Sequence, residues 1–290
     1  MFLALDENGY GPILGPLVAT GIAGSSDLRK NWPGDISDSK KLFSSATKLA
    51  KIEKIALSIF MISNRRMPKN IFELFEPVTD NKSCKPDECL CWNTLPDIPF
   101  CAKKSEIESY AEYLESFLKK NSISITSITS MALCVKEFNN LCRKNFKKDY
   151  INYLLFEKIM NRYKNCGNML TIMAGKIGGR KTYTEFLKYG FVDWKIIKKN
   201  EYPEISTYLL SNNNSLMTIN FIKDLESKSF LGVLSGIYGK YVRELLMTGI
   251  NKSLCTETFI SGYRDKNTKE FIRKLQLKMP AFIDCIIRIK

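Results

Sequence analysis

Apolar and polar positions fall into two kinds of block along this chain. Phe2–Leu5 is a short apolar run that ends at Asp6-Glu7, and Leu17–Gly24 is a second apolar run. Runs of this length bounded by turn residues predict buried strands. Between them Gly9, Gly11, Pro12, Gly15 and Pro16 predict a tight loop that joins the two strands nearly back to back. Ser122–Val135 alternates Ile with Ser and Thr and reads as a strand, as do Met169–Ala174 and Leu216–Ile222. Helices are predicted over Ala46–Ile62, Glu106–Lys120, Asp149–Tyr163, Thr182–Lys188 and Phe230–Met247, with one or two more in the tail. The stretch from Asn64 to Lys103 is irregular, holds several prolines and four cysteines, and reads as an insertion. Strands and helices are mixed along the chain, which predicts an α/β fold.

Composition narrows the chemistry. The 290 residues contain no histidine, so Ser-His-Asp and Cys-His mechanisms, His-ligated zinc and His general bases are excluded. Lys and Arg number 44 against 30 Asp and Glu, a net charge of +14. A surplus of that size fits a polyanionic partner, usually nucleic acid; general solubility is the other reading. Distribution favours the first, because residues 139–200 hold 14 basic and 4 acidic side chains. The longest apolar run falls well short of the roughly 18 residues that span a bilayer. Asp6 follows Met1–Leu5 too closely to leave room for a signal peptide, so a cytoplasmic protein without a membrane partner is expected. Nine cysteines in such a chain read as reduced thiols. Cys84, Cys89, Cys91 and Cys101 are spaced C-x4-C-x-C-x9-C, unlike the paired CxxC of zinc ribbons. A structural zinc and ordinary buried thiols both remain open there, with buried thiols the default.

Two segments carry candidate chemistry. In Asp6-Glu7-Asn8-Gly9-Tyr10-Gly11-Pro12, adjacent carboxylates end a strand and glycines let backbone amides approach a ligand. Acids at a strand end are a seat for Mg²⁺, which takes hard oxygen ligands; a solvated turn is the plain alternative. Gly178-Gly179-Arg180-Lys181 precedes a predicted helix, so free amides and two cations there predict a phosphate seat; a simple turn is equally compatible.

Leu5-Asp6-Glu7-Asn8-Gly9-Tyr10-Gly11-Pro12-Ile13-Leu14-Gly15-Pro16-Leu17-Val18, followed by Asp38-Ser39-Lys40-Lys41-Leu42, resembles the opening of the type 2 ribonuclease H enzymes, ribonucleases HII and HIII. The GYGP and LGPL pieces look like a divergent bacterial branch of that family. The resemblance covers roughly residues 1–45, 170–190 and 220–272. It implies a ribonuclease H-like α/β fold, a mixed five-stranded sheet flanked by helices whose first and fourth strands lie side by side. The Cys/Pro-rich region, about 64–121, would be inserted in a core of residues 1–235, and residues 236–290 would form a C-terminal helical extension packed on it.

The resemblance also implies a metal-dependent endonuclease, with Mg²⁺ or Mn²⁺ as cofactor and two-metal phosphodiester hydrolysis as mechanism. Its partner would be an RNA/DNA hybrid or a duplex with an embedded ribonucleotide, bound by a monomer. Asp6, Glu7 and Glu226 take the catalytic, metal-holding positions, with Asp224 the nearby alternative to Glu226. Gly9, Tyr10, Gly11, Ser39, Lys40, Lys41, Arg180, Lys181, Lys240 and Tyr263 take nucleic-acid-binding positions. A last acid would end the strand Met169–Ala174, where Ala174 stands in place of Asp; Glu201 and Glu204 are candidate substitutes. Tyr10 stands where the better-known enzymes carry Arg or Lys. These departures define the alternative, a weakened or inactive nucleic-acid-binding homologue that has lost one metal-binding carboxylate.

Overall fold

Every residue of Leu17–Gly24 is buried, so this apolar run has to lie inside a sheet covered on both faces. The computed structural model, which describes residues 1–36, 48–79, 89–256, 258–278 and 282–289, places it there. The strands are β1 (Phe2–Asn8), β2 (Leu17–Gly24), β3 (Glu76–Val78), β4 (Ile125–Leu133), β5 (Met169–Gly175), β6 (Lys195–Glu201), β7 (Ile205–Ser211) and β8 (Leu216–Ile222). They form one mixed sheet in the order β3-β4-β2-β1-β5-β8-β7-β6. The sheet therefore has eight strands, not the five expected. Strand β3 comes from the predicted insertion, and β6 and β7 form a meander with β8. The expected pairing of the first and fourth predicted strands holds, because β1 runs parallel to β5 with Leu5 opposite Ala174.

The helices are α1 (Lys48–Asn64), α2 (Lys104–Lys120), α3 (Val135–Arg143), α4 (Lys148–Tyr163), α5 (Thr184–Gly190), α6 (Phe230–Ser253), α7 (Lys266–Lys278) and α8 (Ile283–Ile286). Alternation along β1 sorts its side chains between two cores. Leu3 and Leu5 join the core under α4 and α5, and Ala4 joins the one under α1, α2 and α6. A third, smaller cluster packs the loop after β1 against α6, α7 and α8. Among the described residues no helix is long and apolar enough to cross a membrane.

Helix α6 is the central support. Ser229 caps it by accepting from the Gly232 amide at 2.8 Å. It then runs for 24 residues, past residue 235, almost wholly buried. It sits against β1 and β2 because its facing residues are small. A Cβ at Gly236 would come within 2.6 Å of Asp6 Oδ2, and one at Gly239 within 2.7 Å of Asn8 Nδ2. Gly239→Ala, whose Cβ would also meet Oγ1 of the short, buried Thr20 at 2.8 Å, is therefore expected to push α6 off β1 and β2 and to destabilise the fold by roughly 1–3 kcal/mol, as overpacking does. Urea unfolding of the variant checks the figure, and an unchanged midpoint would count against this packing.

Candidate metal and nucleic-acid site

Strand β1 does not break at its acids but continues through Asn8. Asp6 and Glu7 thus leave opposite faces of the sheet, Asp6 toward α6 and Glu7 toward Tyr10 and Tyr183. They converge nonetheless, because the neighbouring strand β5 ends beside them in a residue with no side chain. A Cβ on Gly175 would lie 3.2 Å from Asp6 Oδ1 and 3.6 Å from Glu7 Oε2. The two carboxylates reach round this notch from either face.

The parallel strands β1, β5 and β8 all end here. Beyond β8 the chain turns through Asp224, held at a left-handed φ of 52°, into the short helical turn that carries Glu226. One cleft of about 820 Å³ is lined by Asp6, Glu7, Asp224 and Glu226. Carboxyl ends of parallel strands are the usual place for a ligand in an open α/β sheet. Four acids, two from the end of β1 and two from the turn after β8, supply hard oxygen donors suited to Mg²⁺ or Mn²⁺. They do not form a tight cage: the only three Cys, Asp or Glu ligand atoms within 4.8 Å of one another, among the described residues, belong to Cys89, Cys91 and Cys134.

The remaining walls are basic, aromatic and glycine-rich. Gly9, Tyr10, Gly11, Lys176, Lys223, Lys240 and Tyr263 all line the cleft. Lys240 is mostly buried, and its ammonium lies 2.7 Å from Glu244. Tyr263 is 45% exposed, stands over Gly11, and has the Arg243 guanidinium 5.5 Å from its ring centre. It is held there because the Gly262 carbonyl accepts from the Ile13 and Leu14 amides at 2.8 and 3.2 Å. The Tyr10 ring carries the Lys148 ammonium 4.5 Å above it. Burial, then the charges of Asp149 and Glu7, push its phenol up, so it stays a neutral donor.

Other expected positions lie elsewhere. The Gly178-Gly179 pair does not open a helix; α5 begins at Thr184 behind an N-cap at Tyr183, so the predicted phosphate seat is not a helix N-terminus. Arg180 is held by Asp149 through two guanidinium hydrogen bonds and covers the Phe186 ring at 4.1 Å, outside the cleft lining. Lys181 is also absent from that lining, and its carbonyl accepts from Ser206. Glu201 accepts from Tyr208 and Thr184, and Glu204 pairs with Lys223 at 3.1 Å; neither lines the cleft as a substitute acid. Ala174 faces the core, fully buried, and the β5 position that borders Asp6 and Glu7 is Gly175. Ser39, Lys40 and Lys41 lie outside the described residues. Lys176 is a lining residue that the pattern did not single out. It donates to the Tyr202 carbonyl at 2.6 Å and Ser206 Oγ at 2.9 Å, and burial pulls its pKa down.

No protein-family model matches the chain, and no curated protein matches its sequence. Solved structures do match. Bst-RNase HIII in complex with Mn²⁺ aligns with a TM-score of 0.50 at 11% identity, over 99% of this chain and 66% of that one. RNase HII from Archaeoglobus fulgidus, in its complex with PCNA, aligns with a TM-score of 0.48 at 13% identity, over 100% and 94% of the two chains. For the ribonuclease H2 from Pyrococcus horikoshii OT3 the values are 0.45 and 14%, over 98% and 91%. The chain spans 66% of the length of the RNase HIII structure that carries the comparison. On that likeness and the sheet described above, this chain has a type 2 ribonuclease H-like fold.

Proposed function

We propose that this chain is a metal-dependent endoribonuclease-like hydrolase acting on an RNA/DNA hybrid, or on a duplex with an embedded ribonucleotide. One observation carries the reading: Asp6 and Glu7 line the same cleft as Asp224 and Glu226, which are remote from them in sequence. Asp6, Glu7 and Glu226 would hold Mg²⁺ or Mn²⁺, with Asp224 as the fourth acid. The Mn²⁺ held by the RNase HIII structure supports a hard divalent ion. Such ions supply Lewis-acid polarisation of a phosphodiester and lower the pKa of water, so no histidine is required.

The protein's own groups do the rest. Tyr263 offers an exposed face on which a sugar or base stacks. Lys223, exposed and paired only at the surface with Glu204, can turn to a phosphate at little cost. Tyr10, a neutral donor beside the glycine loop, suits a ribose 2′-hydroxyl, the group that separates RNA from DNA.

Gly175 favours the second reading, a nucleic-acid-binding protein weakened in catalysis. A labelled hybrid incubated with Mg²⁺ or Mn²⁺ separates the two. Cleavage by the natural chain supports the hydrolase, and tight binding without cleavage supports the second. Gly175→Asp is the diagnostic variant, because its new carboxylate enters the notch between Asp6 and Glu7. It is expected to lower the metal concentration needed for half-maximal cleavage by roughly tenfold, since affinity follows the number of charged ligands. Ala174→Asp, which would bury a charge in the core, is expected to unfold the protein instead. Equal behaviour of the two variants would sink this placement of the missing acid.

A further inference from the structure

A second group of candidate metal ligands lies away from the cleft, and it joins two cysteines of the Cys/Pro-rich stretch to a third that the sequence does not group with them. Cys89 and Cys91 leave the inserted region, and Cys134 ends β4 as the N-cap of α3. All three are fully buried, and their sulfurs lie within 4.8 Å of one another. Cys89 Sγ and Cys134 Sγ are 3.3 Å apart. Cys101, grouped with them by spacing, is exposed near Glu53, and Cys84 lies outside the described residues.

Tetrahedral Zn²⁺ with bonds of about 2.3 Å to sulfur sets its ligand sulfurs roughly 3.8 Å apart. The Cys89–Cys134 separation of 3.3 Å is a little below that value, and the 4.8 Å within which all three sulfurs lie leaves room for it. A disulfide would need about 2.05 Å and would leave the third buried thiol unused. Without a cation the arrangement is costly to ionise. Contact with Cys134 and burial push the Cys89 and Cys91 thiols well above their ordinary value. A divalent ion removes that cost and takes the thiols as thiolates.

Two groups complete the setting. The Cys285 carbonyl, on α8, accepts from Cys91 Sγ at 3.8 Å, which brings the C-terminal segment against the cluster. Arg288 brings a guanidinium that is 5% exposed and has an unbonded Nη2 atom. Burial depresses it to about 9, and Cys91 is the strongest of the groups that oppose the depression. A thiolate-rich metal centre is anionic, so it suits this buried cation.

We propose that Cys89, Cys91 and Cys134 bind one structural Zn²⁺. The site joins the insertion, the end of β4 and the C-terminal segment. That segment matters, because Arg288 donates through Nε to the Gly15 carbonyl at 2.7 Å and through Nη1 to the Gly9 carbonyl. Zinc on the three cysteines, with Cys91 against the Cys285 carbonyl, thus fixes the segment that clamps the loop beside the cleft. The site stands independently of the reaction proposed above.

The test is metal content of the full chain, expressed with zinc and purified without chelator. About one equivalent of zinc per chain is expected, falling below roughly 0.2 in Cys91→Ser and Cys134→Ser and unchanged in Cys101→Ser and Cys166→Ser. If the first two variants do not fold, Co²⁺ substitution of the natural protein decides. Thiolate-to-cobalt charge-transfer absorption with tetrahedral visible bands supports the site, and their absence overturns it. A Cys89–Cys134 disulfide in non-reducing peptide maps, or equal zinc loss in the control variants, would overturn the proposal as a whole.

Discussion

Asp6→Asn is expected to reduce single-turnover cleavage of a hybrid by roughly 10²–10⁴-fold, the several kcal/mol of charge stabilisation that a divalent ion supplies. The change is close to isosteric, which matters because Asp6 Oδ2 lies against the backbone of α6 at Gly236. Helix packing should survive, and a thermal melt within a few degrees of the natural protein is the control. What the amide lacks is the negative charge, and it is charge that sets affinity for a hard cation. Asp6 is central among the four acids because it flanks the Gly175 notch while packing against the helix that follows Glu226. Binding of the hybrid, dominated by phosphate contacts, should change far less than the rate. Measured with enzyme in excess at fixed salt, a rate within threefold of the natural chain would remove Asp6 from the chemistry and the proposed hydrolase with it.

The parts of this molecule that could be read from sequence were those where one local pattern decides the structure. The apolar run of β2, the small-residue face of α6 and the acid-plus-glycine end of β1 each carry their signal within a few residues. Strand β6 does not. Lys195–Glu201 reads Lys-Ile-Ile-Lys-Lys-Asn-Glu and is almost wholly exposed, so it lacks the alternation of a half-buried strand. Its lysines suit the outermost strand of the sheet, where charge discourages pairing with another chain. Which residue of β5 borders the cleft is hidden for a similar reason. Side-chain direction depends on register, and only the pairing of Leu5 with Ala174 shows that Ala174 faces inward and Gly175 the site. Arg180 was assigned by its neighbours in sequence, whereas its partner, Asp149, is 31 positions away. Cys134 is out of reach for the same reason: a cysteine 45 residues from its neighbour Cys89 has no spacing to recognise.

Glu53 shows how much stability can rest on a residue that no pattern marks, and Glu53→Ala is expected to cost about 3–5 kcal/mol. It lies on α1, in a segment whose periodicity predicts only an amphipathic helix, yet it is fully buried. Its carboxylate accepts from the Phe100 amide at 2.6 Å and from the Cys101 and Ala102 amides at 2.5 Å, and from the Tyr241 hydroxyl at 2.6 Å. One side chain therefore satisfies three backbone donors of the inserted segment and ties them to α6. Removing it strands those donors away from water, at about 1–3 kcal/mol for each left without a partner. Relaxation of the loop toward solvent recovers some of that, which keeps the total below the simple sum. Glu53→Gln separates charge from shape. It keeps an accepting oxygen for the amides but places an NH₂ group among donors, so it should be destabilised, though less than the alanine variant. Tyr241→Phe removes one of the four donors and leaves the backbone contacts, so it should cost only about 1 kcal/mol. Urea denaturation of the three variants gives the ranking. If Glu53→Ala unfolds at the midpoint of the natural protein, the carboxylate is not what holds the insertion to the core.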